Sequence, residues 1–513
     1  MLRKQLLATK SLDLLLSEMA GDHRLRRVLG PVALTSLGVG AVIGAGIFVA
    51  TGEAAHNTAG PALMMSYVVA GITCVLAALC YAEFASMAPV AGSAYTYAYA
   101  TMGELFAWII GWDLVLEYAV SAATVANGWS SYFQNALLKL GIVLPEAVRG
   151  APIAYDAATG GFVATGAVIN LPAIVIVALI TAVLVKGIAE SAGFNTLMVA
   201  VKLLAVLLVI GVGAFYVDPD NWTPFAPYGW TGISFFGYPV AGQTDAGGAP
   251  VGMLAGSAII FFAYIGFDSV STHAEEARNP QRDVPIGIIA SLLICTILYI
   301  AVVAVLTGMV PYDQIDVNSG VAHAFSHVGL GWAEFVIAIA GVAGITSVLL
   351  VLMLSLPRVF LAMSRDGLLP SRFFADVHPR FQTPWRSTIL IGLFVAVLAG
   401  LLPIGALLHM ANIGTLFAFV IVCAAVLIMR RTNPAAERPF RCPLVPLVPV
   451  LGIASCLLLM FSLPVANWWR LLVWLALGIV IYAGYGRRHS HLGHALRDQI
   501  ARHGASPGGS LKA

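Results

Sequence analysis

Apolar runs close to the roughly twenty residues that carry an α-helix across a hydrocarbon core recur from Val32 to Tyr485, separated by short polar breaks. The pattern predicts helices over 31–55, 61–87, 97–135, 171–188, 191–217, 251–277, 285–311, 331–364, 387–403, 405–430, 444–464 and 467–486. Twelve spans in six hairpins use up the length and leave no room for a large soluble domain. The chain divides into a tail over 1–30, helices 1–5 over 31–217, a loop over 218–250, helices 6–10 over 251–430, two further helices over 431–486 and a second tail over 487–513. The fold class expected is an all-α integral membrane protein.

Composition agrees. Of 513 residues 59% are apolar and 10% charged, with a mean hydropathy of +0.90, where a soluble domain carries about 25% charged residues. Six cysteines, at 74, 80, 295, 423, 442 and 456, lie in apolar runs or one basic loop, indicating neither a disulfide framework nor a zinc motif. The eleven histidines show no His-Glu-x-x-His pattern, so neither a metal nor a cofactor is expected; His273 reads as a polar residue at a helix end. A net charge of +2 gives no reason to invoke nucleic acid; lipid is the solvent partner.

Charge asymmetry orients the helices. Loops on one side contain Asp156, Asp218, Asp220, Asp245, Asp313 and Asp316, while the other side carries Arg278, Arg282, Arg365, Arg372, Arg380, Arg430, Arg431, Arg438, Arg441, Arg487 and Arg488. The positive-inside rule then places both termini in the cytoplasm. Arg3, Lys4, Lys10, Arg24, Arg26 and Arg27, without a cleavable signal pattern, read as a retained tail. Trp468, Trp469 and Trp474 suit an interfacial aromatic belt at the outer end of the last hairpin.

Two spans are interrupted. The first contains Leu37-Gly-Val-Gly-Ala-Val-Ile-Gly-Ala-Gly-Ile-Phe48 and the sixth Phe261-Phe-Ala-Tyr-Ile-Gly-Phe-Asp-Ser269, each opening one five-helix half. Halves with an odd number of helices start on opposite sides of the membrane, the arrangement of inverted-repeat transporters with paired broken helices. The alternative is that glycines such as Gly40 and Gly44 only permit close helix packing. A broken helix frees N–H donors beside C=O acceptors, which is what the carboxylate and ammonium of an amino acid require. The stretch Ile43, Gly44, Ala45 and Gly46 offers amides to the carboxylate at a helix N-terminus, with glycine leaving the main chain approachable. Carbonyls of Ile43 and of Phe262, Ala263 and Ile265 face the ammonium, and Phe262 reads either as a lid or as ordinary packing.

Ionisable groups at membrane depth cost about 2.5–3.5 kcal/mol or more on insertion scales, which marks them for function. Asp113 and Glu117 lie one turn apart on one face of the third span, and Asp268 follows the second break. Together they form a negative sub-pocket for lysine, arginine or ornithine, or else cap unwound backbone. Lys202 is the one lysine of six deep in an apolar helix. Burial disfavours its charged form, so it either exchanges a proton during transport or bridges helices as a fixed charge.

Several stretches resemble the bacterial cationic amino acid transporter branch of the amino acid–polyamine–organocation superfamily. They are Gly44-Ala-Gly-Ile-Phe48, Ala59-Gly-Pro-Ala62, Tyr81-Ala-Glu-Phe84, Gly92-Ser-Ala-Tyr-Thr-Tyr97, Gly111-Trp-Asp-Leu114, Phe262-Ala-Tyr-Ile-Gly-Phe-Asp268, Glu275-Glu-Ala-Arg-Asn-Pro-Gln-Arg-Asp283, Ser364-Arg-Asp-Gly-Leu-Leu-Pro370 and Asn412-Ile-Gly-Thr415. The resemblance implies a leucine-transporter-like core of five plus five inverted helices with two more following, in a bacterial cytoplasmic (inner) membrane. It implies import of cationic amino acids with the proton as coupling ion, or, within the same fold, a neutral amino acid symporter or exchanger. Lys202 falls where sodium sits in sodium-coupled relatives, and Thr346 and Ser347 match that site's hydroxyls. A small single-span membrane partner is compatible with such a carrier. Ala45 departs from the Ser or Thr often found there, and Leu354-Ser-Leu-Pro-Arg358 lacks the usual Gln or Thr, leaving the pocket's width near Leu352 and Met353 open.

Glu83 and the Arg278, Arg282 and Asp283 cluster are placed to pair with Arg358 or Arg365 at an inner gate. A membrane-embedded enzyme would need a nucleophile with its base, or a metal cluster. A channel would need rings of charge or repeated filter loops. The pattern offers neither.

Overall fold

The computed structural model describes residues 5–11, 27, 29–90, 92–156, 161–186, 188–236, 238–245, 248–317, 319–381, 383–463 and 465–495. The tail residues Arg3, Lys4, Arg24 and Arg26, and everything after residue 495, lie outside the described residues.

Long apolar segments with few ionisable side chains can satisfy their backbone in lipid only as helices, and helices dominate. We number them α1 Pro31–Val42, α2 Leu63–Met87, α3 Ala94–Thr101, α4 Glu104–Lys139, α5 Leu171–Lys186, α6 Ile188–Gly213, α7 Met253–Ile260, α8 Pro280–Met309, α9 Gly320–His327, α10 Gly331–Arg365, α11 Trp385–Leu401, α12 Ile404–Thr432, α13 Leu447–Phe461 and α14 Val465–Ile481. Among the described residues eight helical segments are long and apolar enough to cross a membrane, the first running from Pro31 to Met87 through α1 and α2. Helices α5, α11 and α13 are shorter but also apolar. Three small antiparallel hairpins occupy loops, pairing Ile153–Asp156 with Gly161–Ala164, Ile233–Phe235 with Tyr238–Ala241, and Gln243–Thr244 with Pro250–Val251.

The expected helix over 97–135 is two helices. Met102 and Gly103 separate α3 from α4, where Gly103 takes φ 104° and a Cβ on it would lie 2.6 Å from the Leu7 main chain. That contact and that dihedral both require glycine. With α4 starting at Glu104, Asp113 and Glu117 stand about 14 and 20 Å along it at 1.5 Å per residue, in the first half of a helix of 36 residues.

Helices α4 and α10 run along each other at the centre, with α8 against α2 and against α1, α12 against α4, α6 against α10, α7 against α2, and α5 against α11. Burial follows this order. In the most apolar stretch of α4 78% of residues are inside the molecule, against 22% in the most apolar stretch of the segment from Val465 to His489. Leu472, Val473, Leu477 and Val480 on α14 remain exposed, as suits a helix whose solvent is lipid.

The polar contacts that tie helix ends differ from the expected gate. Glu83 on α2 is buried and takes Arg430 and Arg438, at 2.7 and 3.2 Å, and the Cys442 amide at 2.7 Å. Arg358 instead pairs with Glu276 at 2.7 Å, both side chains being 3% exposed, and Arg365 reaches Glu275 at 3.4 Å. Charges that lose water need such partners. Sequence order gives no signal for which partner each finds.

Candidate functional site

Helix α1 stops at Val42 because Ile43 turns extended, at φ −74° and ψ 104°. Helical geometry resumes at Ala45, and Gly46–Ala50 continues it as a wide turn. The amides of Gly44 and Ala45 have no hydrogen-bond partner among the described residues, the first main-chain bond beyond the break being Phe48 N–H to Gly44 O. The second interruption has the same character. Helix α7 passes into a tight turn over Phe261–Tyr264, Ile265 is extended at ψ 131°, and Gly266 takes φ +118° before Asp268 opens Ser269–Thr272. Unpaired main-chain amides inside a protein carry a cost, so where the first break lies relative to the second matters.

The two breaks lie side by side. A Cβ on Gly46 would fall 2.2 Å from Ala263 Cα, so the two broken segments touch main chain to main chain. Gly266 meets Ala41 in the same way, and Gly44 faces Val348 on α10. Glycine here serves close packing between segments, the alternative the sequence left open, as well as bending the chain. The hydroxyl of Tyr299 on α8 joins the breaks, lying 2.7 Å from Val42 O and 3.0 Å from Ala263 O, which share its single proton. Tyr67, Tyr264 and Tyr299 form an aromatic cluster behind it, and Thr51 and Tyr67 share a hydrogen bond of 2.7 Å. Sequence reasoning missed Tyr299; a phenol in the middle of an apolar run was the available signal.

Between the breaks is a narrow cavity lined by Ala41, Val42, Ala45, Gly46, Ser121, Val125, Phe262, Ile265, Val348 and Leu352. Its free space is about 10 Å³, close to one water-sized sphere, so the cleft is closed down in this conformation. Ala45, Gly46, Phe262 and Ile265 of the expected set line it. Ile43, Gly44 and Ala263 adjoin it without lining it, and Leu352 does line it while Met353 faces a separate crevice with Pro357 and Arg358.

Lys202 on α6 is fully buried beside the first break. Its Nζ donates to Gly40 O at 2.7 Å, Ile43 O at 2.8 Å and Ser347 Oγ at 2.7 Å. Three acceptors match the three protons of an ammonium, and two of them are carbonyls at the C-terminal end of α1, where a cation is favoured. The Ile43 carbonyl, expected to meet a substrate ammonium, is thus engaged by Lys202. Thr346 does not reach the lysine. It donates to Val342 O and accepts from Trp129 Nε1 at 2.9 Å.

The three acids do not line the cavity. Asp268 accepts from Tyr118 at 2.6 Å and from the Gly266 amide at 3.3 Å. Asp113 and Glu117 are buried with all four carboxyl oxygens unpartnered, Asp113 against Gly414 on α12. No cluster of three or more His, Cys, Asp or Glu positioned to hold a metal occurs among the described residues.

A family profile described as amino acid permease matches residues 29–483. The chain is similar to a methylthioribose transporter of Bacillus subtilis (strain 168), 46% identical over 93% of this chain and 97% of the relative. It is 47% identical to the branched-chain amino acid permease BcaP of the same organism, over 94% and 98% of the two chains. A vacuolar cationic amino acid transporter 4 of Arabidopsis thaliana is 37% identical over 81% of this chain and 65% of its own length.

Proposed function

We infer, from the premise that this chain belongs to the amino acid permease family, that it imports neutral amino acids with apolar, branched side chains across a bacterial cytoplasmic membrane. The cavity between the two breaks carries the reading. Val125, Phe262, Ile265, Val348 and Leu352 give it an apolar lining, and no ionised side chain joins them. Unpaired Gly44 and Ala45 amides beside it suit a carboxylate, at the positive end of a resuming helix. The name of the branched-chain relative points the same way.

Coupling is assigned to Lys202. A protonated lysine satisfies Gly40 O, Ile43 O and Ser347 together, whereas a neutral amine has two N–H donors for three acceptors. Losing the proton therefore loosens α1 from α6 and α10. The helix contacts support five plus five inverted spans, followed by α13 and α14. Exchanging each span of the first half with its counterpart maps α2–α8, α4–α10 and α5–α11 onto themselves, α1–α8 onto α7–α2, and α6–α10 onto α12–α4, and every one of these contacts is present.

Cationic substrates form the second reading, favoured by one observation: Glu117, one turn below Ser121, has both carboxyl oxygens buried and unpartnered. A single uptake panel separates the readings. Purified protein in liposomes, with the outside acidified, is expected to accumulate leucine, isoleucine and valine and to be inhibited weakly by lysine or arginine. Uptake of the basic amino acids in preference transfers the assignment to the acids, and uptake of methylthioribose alone removes amino acids from this site.

A further inference from the structure

Serine and threonine hydroxyls in apolar helices ordinarily bond back to a carbonyl three or four residues earlier. They do so here at Thr73, Thr124, Thr181, Thr307, Thr346 and Ser355. Ser121 on α4 departs from this. It is 0% exposed, and among the fully enclosed serine and threonine hydroxyls of the described residues it alone has no hydrogen-bond partner. It also lines the cavity between the breaks, as the one polar side chain in an otherwise apolar lining.

We propose that Ser121 is a specificity-determining residue whose hydroxyl pairs with a hydrogen-bonding atom in the substrate's side chain, so that the permease takes threonine-like side chains alongside branched aliphatic ones. The inference rests on the neutral amino acid reading above and deepens it. A substrate's carboxylate has main-chain amides available at Gly44 and Ala45. Ser121 instead stands with Val125, Val348 and Leu352, which meet the cavity from α4 and α10 rather than from the broken segments. A buried hydroxyl left unpaired is costly, and a ligand that completes the bond recovers that cost. Valine has the shape of threonine but cannot complete it.

The isosteric pair supplies the test. Inhibition of leucine uptake by unlabelled valine and threonine is measured in proteoliposomes for the wild type and for Ser121→Ala. An apolar pocket alone rejects the hydroxyl-bearing isostere by about a hundredfold. The wild type is expected to hold the two within about tenfold, and Ser121→Ala to move the ratio about tenfold towards valine, the effect of one hydrogen bond. The variant's melting temperature should not fall, because the hydroxyl it loses holds no protein partner. An unchanged ratio, or an equal loss for both competitors, overturns the assignment to the side chain. A wild type that excludes threonine overturns this inference alone, whereas one inhibited by neither valine nor leucine overturns the neutral reading and this inference with it.

Discussion

Residues that carry polar atoms into an apolar run explain most of the site, because each must find a partner that the sequence leaves unnamed. Lys202 is the clearest case. Its depth was legible in the sequence, and so was Ser347, but not the carbonyls of Gly40 and Ile43 that complete its environment. Thr346, the residue before Ser347 on the helix, points about 100° away and meets Trp129 instead, so adjacency in sequence did not mean a shared role. Replacing Lys202 by Met removes the titrating group and leaves those acceptors short of a donor, at about 1–3 kcal/mol of stability. The expected outcome is a folded protein whose leucine binding persists while uptake no longer responds to a pH gradient. Uptake that still follows the gradient would take the lysine out of the coupling.

At the scale of elements, periodicity located the helices well and their interruptions less well. Apolar runs over 61–87, 331–364 and 405–430 correspond to Leu63–Met87, Gly331–Arg365 and Ile404–Thr432, since in lipid only a helix satisfies such a run. The break at Gly103 escaped notice because Ala94–Thr101 is itself helical and apolar; what ends it is contact with Leu7, far away in the chain. The breaks at Gly44–Gly46 and Gly266 were legible from glycine spacing, but that the segments touch was not. That contact makes a sharp prediction. Gly46→Ala would push a methyl group onto the Ala263 main chain, 2.2 Å away, and main chain cannot swing aside as a side-chain tip can. A cost of about 1–3 kcal/mol from overpacking, together with loss of uptake, is expected. Gly211 on α6 has nothing within 4 Å, so Gly211→Ala should raise stability by about 0.5–1 kcal/mol, the helical preference of alanine over glycine. Thermal denaturation of both variants in detergent, with uptake measured in parallel, checks the contrast; equal behaviour would mean that the broken segments are free to part at that point.

Across the molecule, the described segments 5–10 and 29–30 are tied to the arginine-rich ends of the core helices. Leu29 and Ala277 form a short bridge, with Leu29 N–H bonded to Glu276 O and Arg278 N–H to Leu29 O, which fastens the entry of α1 to the exit of the second broken segment. Glu276 also holds Arg358 of α10. Beside them the segment 5–10 acts as a strap. Ala8 O accepts the Glu104 amide, Lys10 N–H reaches Tyr99 O, and Gln5 bonds both Glu104 and the Arg487 carbonyl. Lys10 Nζ pairs with Asp366 at 2.6 Å with side chains 5% and 12% exposed, and Tyr95 bonds the second carboxyl oxygen. A carrier built on alternating access has to release such ties whenever this face opens. Removing one partner of a buried pair strands the other charge, at about 3–5 kcal/mol. Asp366→Asn is therefore expected to free the strap. Trypsin, which cuts after lysine, should then cleave at Lys10 in reconstituted protein much faster than in the wild type, where the side chain is sealed. If cleavage at Lys10 were equally slow in both proteins, the strap would be held by its main-chain bonds to Tyr99 and Glu104 rather than by the ion pair.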